Sequence, residues 1–460
     1  MPHSNGGALA NLHPGPYDTP MHVLSIPYRD PAAAFSAFAA DEYAAFLDRD
    51  RVSLIAASPL EVVTATEAGG FIDGVYHASD PFQTLGEVWR RHRRPNRRRL
   101  PFRGALIGYL GYELGDFLER LPPPKAGSSG IPAMSFGVYD TAALFDHRRR
   151  RAFVAGPGKA KAADFAARLA AAPAEPPPPA MPAVTWVAGQ SRAEVESRIR
   201  RIIEYIGAGD VYQVNYTQRF TAQRQPEHGD FQLYRRLRSI SPAPYSTFLR
   251  CGGVSIAGAS PERFLALDGE GLITAEPIKG TRPRASDPAS DAALARALQE
   301  SPKDNAENLM IVDLMRNDLS RVCEAGSVAV PHLCELQSFS HVHHLVSTVT
   351  GRLRPAVTPI DVLRATFPGG SVTGAPKIRA MEIIRELEPS PRGAYCGAHG
   401  WIGFDGKADL AMTIRSLTLT PDLIVAQAGG GIVADSDPAA EYEESMVKAA
   451  PLLQAALGGR

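Results

Sequence analysis

YSTFLRCGGVSIAGASPERFLALDGEGLITAE, residues 245–276, decides the reading of the fold. Strand-like runs at 245–258, 263–268 and 271–276 follow one another across Ser-Pro-Glu and Asp-Gly-Glu turns. Such turns are too short for a crossover helix, so consecutive strands must run antiparallel. Further strand-like runs lie at 341–350, 396–404, 411–419 and 423–428. Helices are interleaved with them. Helix 191–206 opens with Ser191 and Glu194 in capping-box spacing, repeats Val195, Ile199, Ile202, Ile203 and Ile206, and stops at Gly207 and Gly209. The class is α+β.

Outward from this segment, the organisation is coarser. Residues 1–20 are rich in Gly, Pro, Asn and His and read as a disordered tail, with Met21 as a second candidate start. Residues 21–172 form an N-terminal part of short strands (VSLIAA, ALIGYLGY, SFGVYD, RAFVAG) and Ala-rich helical stretches such as 31–48. It shows no catalytic cluster. A Pro/Gly/Ser loop lies at 121–130, a stiff Pro-rich connector at 173–183, and a C-terminal part at 184–460. Lys plus Arg and Asp plus Glu are both 49 in 460 residues, so the chain is not basic throughout. The run Arg90–Arg103 reads as a solvated or protein-contacting surface rather than a nucleic-acid grip, since prolines break it and it carries one aromatic. No apolar run is long enough for a membrane helix. Cys251, Cys323, Cys334 and Cys396 are widely spaced and form no CxxC pair. They read as reduced thiols, and with no signal-peptide pattern the expected location is the cytoplasm.

Two helix starts carry acids. Ser301-Pro302 leads to Asp304, Glu307 and Asn308 on one face, with Leu309, Val312 and the Met310/Leu314 row facing a core. Asp437-Pro438 leads to Glu441, Glu444 and Lys448 on one face. A solvated face explains each set alone; the two together could also hold one Mg²⁺, which takes one or two carboxylates and keeps room for an anionic substrate. GGSVTGAPK (369–377) is a Gly-rich turn entering a helix, suited to an anion but not a P-loop. QAGGGIVADS (427–436) reads as a Gly cluster just after a strand, where a ligand approaches the backbone. Arg415 lies in a strand-like run, either exposed or facing an anion. Lys279, in EPIKGTRPR, is a surface turn residue or, if pocketed, a nucleophile of depressed pKa. Glu262 is a proton donor if burial raises its pKa.

Taken together and in order, ASPERF, PIKGT, KDNAENLMIVDLMRND, GSVTGAPK, AMTIRS, AGGGIVADSDPAAEYEES and the following Val447-Lys448 resemble the chorismate-utilising enzymes. The likeness is dense from about 191 to 450 and thinner across 21–172. Within the family the chain is most similar to the aminodeoxychorismate synthase component I branch, which carries lysine in PIKGT where anthranilate synthases, the alternative, usually have PIAGT. YQVNYTQRF (212–220) and HVLSIPYRDP (22–31) look like the same branch. SLIAASP (53–59) departs from the LLES-type motif of feedback-inhibited anthranilate synthases.

The resemblance implies large antiparallel sheets packed face to face with helices outside, and a connector at 173–183 inside one fold. It implies Glu307 and Glu444 as Mg²⁺ ligands, with Asp304 and Glu441 acting through water. The ring carboxylate of chorismate would meet Gly280, Thr281 and His344; the enolpyruvyl carboxylate would meet Tyr395, Arg415, Gly429, Gly431 and Lys448. Thr373 would line the pocket. Gln213, counted with the substrate-binding residues, replaces the water-activating lysine of isochorismate and salicylate synthases. Glu262 would protonate the leaving C4 hydroxyl while Lys279 attacks C2, and ammonia would then displace the lysine at C4. No cysteine sits in a Gly-x-Cys-x-Gly elbow, so free ammonia or a separate glutamine amidotransferase subunit is the implied nitrogen source.

Overall fold

The computed structural model describes residues 20–96, 100–123, 129–172, 181–225, 227–339 and 342–457. The tail, most of the Pro-rich connector and Arg97–Arg99 of the basic run lie outside these residues. Among the described residues the strands form two antiparallel sheets of twelve strands each. The first runs, neighbour by neighbour, Met21–Ile26, Arg151–Pro157, Ala142–Asp146, Val52–Ala57, Ala44–Arg49, Tyr245–Cys251, Val254–Ser260, Ser416–Leu419, Leu423–Ile432, Gln213–Gln223 and Val187–Ala188, with Gly374–Ala375 also on Gln213–Gln223. The second runs Ile278–Pro283, Val342–Arg352, Leu272–Ala275, Arg263–Asp268, Lys407–Met412, Ala398–Gly403, Ala105–Leu110, Met134–Tyr139, Val62–Thr66, Gly69–Ile72 and Val75–Ala78, with Ala329–Ser338 also on Val342–Arg352. Strands from both the N-terminal and C-terminal parts enter each sheet.

Strand periodicity explains the layering. In Ala44–Arg49, Ala45 and Leu47 point into the core between the sheets, while Ala44 and Phe46 point to the outer core under helices. Ala105, Ile107 and Tyr109 face inward, and Leu106 and Leu110 face outward. Val254 and Ile256 against Ala257 and Ala259 repeat the pattern. Central strands buried on both faces therefore read as continuous apolar runs.

Several local expectations change. The stretch 31–48 is helical only over Pro31–Phe35; Ala44–Arg49 is a strand, because pairing with Val52–Ala57 and Tyr245–Cys251 outweighs alanine's helix propensity. The run 245–258 is a hairpin, turned at Gly252 and Gly253 with φ of 61° and 86°. Leu309 is 49% exposed, because Asn308 is taken inward to donate to the Leu345 carbonyl and accept from Ser347. The glycines 429–431 lie within strand Leu423–Ile432 rather than after it. All four cysteines are unpaired thiols.

Of the places where the chain passes from one sheet to the other, two lie side by side. It leaves Val254–Ser260 and enters Arg263–Asp268 through Pro261-Glu262. It leaves Lys407–Met412 and enters Ser416–Leu419 through Thr413–Arg415, where Arg415 has φ of 52°. The 411–419 run is thus broken at this corner. The two crossings are bonded together: Met412 N–H donates to the Glu262 carbonyl at 3.0 Å, and Ala259 N–H to the Arg415 carbonyl at 2.9 Å. Strands that switch sheets make corners, and this double corner is where the chemical residues gather.

Candidate active site

A cavity of about 680 Å³ opens at the double corner. Glu262 and Arg415 come from the two crossings. Lys279, Gly280 and Thr281 come from the bulged strand Ile278–Pro283, whose register slips between Lys279 and Thr281. Gly280 adopts φ of 81°, and a Cβ there would stand 2.8 Å from Leu298 Cδ1 and 3.0 Å from Asp304 Cβ, so the bulge needs glycine. Helix Pro302–Ser320, capped by Ser301, brings Asp304 and Glu307 to the cavity; helix Pro438–Ala456, capped by Asp437, brings Glu441, Glu444 and Lys448. His344, Tyr395, Gly429 and Gly431 complete the group.

Two expected residues do not line this cavity. Gln213 is 0% exposed behind the glycine strand, where a Cβ on Gly431 would lie 2.5 Å from its amide nitrogen. Neither polar atom of that amide has a hydrogen-bond partner among the described residues. Thr373 is buried, and its hydroxyl donates to the Gly369 carbonyl at 3.0 Å. The glycine run serves close strand approach as well as the cavity, since a Cβ on Gly429 would fall 2.0 Å from the Tyr216 carbonyl oxygen.

Burial sets the protonation chemistry. It pushes the Glu262 carboxyl up to about 7, against a Ser371 hydrogen bond and the Lys279 charge. It pushes the Lys279 amine down, against the pull of Glu307 and Glu262. The Lys279 Nζ donates to the Ser371 carbonyl at 3.4 Å. Burial lowers His344 to about 4, so its ring is neutral; Nδ1 stands 2.9 Å from the Thr281 hydroxyl. Burial also lowers Arg415 from its ordinary value and raises Tyr395.

The four acids are held differently. Asp304 pairs with Arg282 at 3.0 Å, Glu441 with Lys303 at 3.3 Å, and Glu444 with Lys448 at 2.6 Å. Burial raises Glu307, which has no hydrogen bond or ion pair among the described residues; Glu444 is held below its ordinary value because Lys448 outweighs its burial. As placed, no three acidic, histidine or cysteine side chains among the described residues stand close enough to hold a metal. The donor chemistry still fits a hard divalent ion: every candidate donor is a carboxylate oxygen, and the Glu307 carboxylate is unclaimed. Lys303, Ser371 and Asn215 also line the cavity. Sequence reasoning passed over all three, since a lysine at a helix start and a serine or asparagine in a motif carry no chemical signal of their own.

A second cavity of about 590 Å³ lies behind the Pro261-Glu262 crossing and shares Pro261 and Ile278 with the first. Glu262 faces one cavity and Arg263 the other. Arg49 lines the second with 8% exposure; none of its guanidinium nitrogens has a hydrogen-bond partner among the described residues, and it stacks 4.8 Å from the Tyr245 ring centroid. The N-terminal part thus contributes to a cavity that its sequence did not announce.

Residues 37–454 match the family model for chorismate binding enzymes. Aminodeoxychorismate synthase component 1 of Klebsiella aerogenes is 47% identical over 352 residues, 76% of each chain. Anthranilate synthase component 1 of Streptomyces coelicolor is 42% identical over 376 residues, 77% of this chain and 73% of that one. The crystal structure of anthranilate synthase component I from Streptococcus pneumoniae superposes with a TM-score of 0.78 at 32% identity, covering 88% of this chain and 92% of that one. With nearly the whole described chain matched in sequence and fold, the protein belongs to the chorismate binding enzyme family.

Proposed function

We propose that this chain aminates chorismate to 4-amino-4-deoxychorismate, as an aminodeoxychorismate synthase component 1, feeding 4-aminobenzoate and folate synthesis. One observation carries the reading: Lys279 is a buried amine of lowered pKa in the same cavity as a carboxyl raised to about 7 and a set of acids. Glu262, protonated below about 7, gives its proton to the C4 hydroxyl, which leaves as water. The neutral Lys279 Nζ forms a bond to C2 as both ring double bonds shift and the C4–O bond breaks, and its surplus proton returns to the Glu262 carboxylate. Ammonia then attacks C4, both double bonds shift back, the C2–N bond breaks, and a proton from the nitrogen now on C4 passes to the departing Lys279 amine. Arg415, Lys448 and Tyr395 orient the enolpyruvyl carboxylate; His344, neutral, and the Gly280-Thr281 backbone receive the ring carboxylate. Mg²⁺, held by Glu307 and Glu444 with Asp304 and Glu441 through water, would supply positive charge for that carboxylate.

The ammonia would come from a separate glutamine amidotransferase subunit or from solution. The name component 1 of the similar Klebsiella protein agrees with a second component. The 42% identity to an anthranilate synthase favours a second reading, amination at C2. One experiment separates them: chorismate, Mg²⁺ and ammonium at raised pH, with products identified by mass. A product that a lyase converts to 4-aminobenzoate supports the first reading; fluorescent anthranilate as the main product would replace it with the second.

A further inference from the structure

We propose that Lys303 is a displaceable counter-cation: its ammonium holds the Glu441 carboxylate while no divalent ion is present, must leave when one enters, and so sets how tightly that ion binds. The inference rests on the reading of these acids as an Mg²⁺ site.

Three basic side chains pair with three of the four acids, and they are not equivalent. Arg282 donates to Asp304 at 3.0 Å and also to the Thr281 carbonyl at 2.9 Å. Lys448 pairs with Glu444 at 2.6 Å and also donates to the Gly429 carbonyl at 3.1 Å. Each is tied at two points. Lys303 makes one hydrogen bond among the described residues, to Glu441 Oε1 at 3.3 Å. Its side chain is 48% exposed, against 34% for Arg282 and 28% for Lys448.

Its place on the helix points the same way. Pro302 begins the helix and Lys303 follows it. A cation there faces the positive end of the helix dipole, so the helix itself does not favour it. The acids do: Glu441, Glu307 and Glu444 all act on its charge. Glu441 is 7% exposed and would be a costly buried anion with only the Ser436 hydroxyl, 2.7 Å away, to bond it. The carboxylates of Glu441 and Glu444 and the Lys448 ammonium meet over Gly430: a Cβ there would lie 3.5 Å from Glu441 Oε2, 3.9 Å from Glu444 Oε1 and 3.3 Å from Lys448 Nζ. Lys303 thus borders the space a hard cation would take, on a flexible stem with water beside it. Its release costs little, and a neighbouring divalent charge repels it.

The test is Mg²⁺ titration of the full chain without chorismate, by calorimetry and by the Mg²⁺-induced rise in Tm. Lys303→Met and Lys303→Gln should bind Mg²⁺ about fivefold to tenfold more tightly than wild type, the effect of removing one nearby unit charge in a wet site. Lys303→Arg should stay within about twofold, because the charge is kept. If wild type binds Mg²⁺ and the Met and Gln variants bind it equally or more weakly, the counter-cation role is overturned and the metal reading stands. If wild type and all variants fail to bind Mg²⁺, the metal reading falls and takes this inference with it.

Discussion

Glu262→Gln keeps the size and shape of the side chain and removes its proton, so it measures what burial does to that carboxyl. Burial lifts the group from an ordinary 4.5 to about 7. The folded pKa is the higher, so the folded chain holds this proton more tightly than the unfolded chain. The group's stabilising contribution is full below about 4.5 and is lost progressively as pH rises through about 7. The rise of two to three units corresponds to about 3 kcal/mol, at about 1.4 kcal/mol per unit. With 7% exposure, solvent screening removes little of it. Glutamine has no such dependence. The stability of the variant relative to wild type should therefore shift by about 3 kcal/mol in the variant's favour between about pH 4 and about pH 8.5. Urea unfolding of both proteins at matched pH gives the difference directly. A difference that stays flat across that range would refute the burial argument and, with it, the general-acid role. In activity, the substitution should cost about 10²–10⁴-fold in kcat. The wild-type decline above about pH 7 should disappear from what remains.

Three further outcomes follow from the same geometry. Lys279→Ala should lose most ammonia-dependent turnover or divert it to the C2 product; wild-type rate and product, read by mass, would contradict a covalent lysine. Glu307→Ala should abolish Mg²⁺-dependent activity, and full wild-type activity in EDTA would contradict the metal assignment. Arg49→Leu should raise stability by about 1–3 kcal/mol, because it removes a buried guanidinium that has no hydrogen bond among the described residues. A fall in Tm instead would show that the charges of Asp409 and Asp48 hold Arg49 in place.

What the sequence made legible was local. Ser191 with Glu194, Ser301 with Pro302, and Asp437 with Pro438 mark helix starts through side-chain capping, and the structure has helices at all three. Alternation and short turns gave antiparallel strands. The sheet crossings were not legible. Pro261-Glu262 looks like any turn, and nothing in AMTIRS says that Met412 and Ser416 belong to different sheets. The corner depends on Arg415 adopting φ of 52°, a tertiary demand rather than a preference of arginine. Arg49 was hidden for a related reason. In LDRDR it looks like a solvated hairpin end, yet strand alternation aims it with Ala45 and Leu47 between the sheets. Motif resemblance picked out most of the residues that line the first cavity; the distances that bring Lys303 and Ser371 beside them belong to the fold alone.

The proposed nucleophile, Lys279, and the proposed acid, Glu262, bear on each other's charge. On the proposed route Lys279 must be uncharged to attack, although Glu307, Glu262 and Glu444 all favour its ammonium form. Burial wins, helped by the repulsion of Lys448. Glu262 must be protonated to donate, although Lys279 favours its carboxylate. A neutral acid beside a neutral amine holds the same number of protons as an ion pair; only the place of one proton differs. Burial lowers the one and raises the other, so it favours the neutral pair over the ion pair. The neutral pair is also the one the proposed chemistry needs, with a donor for the leaving hydroxyl and a free lone pair on the amine. On the proposed route, a polar substitution that admits water to this corner should favour the ion pair and lower turnover with both residues still in place, read as kcat at fixed pH.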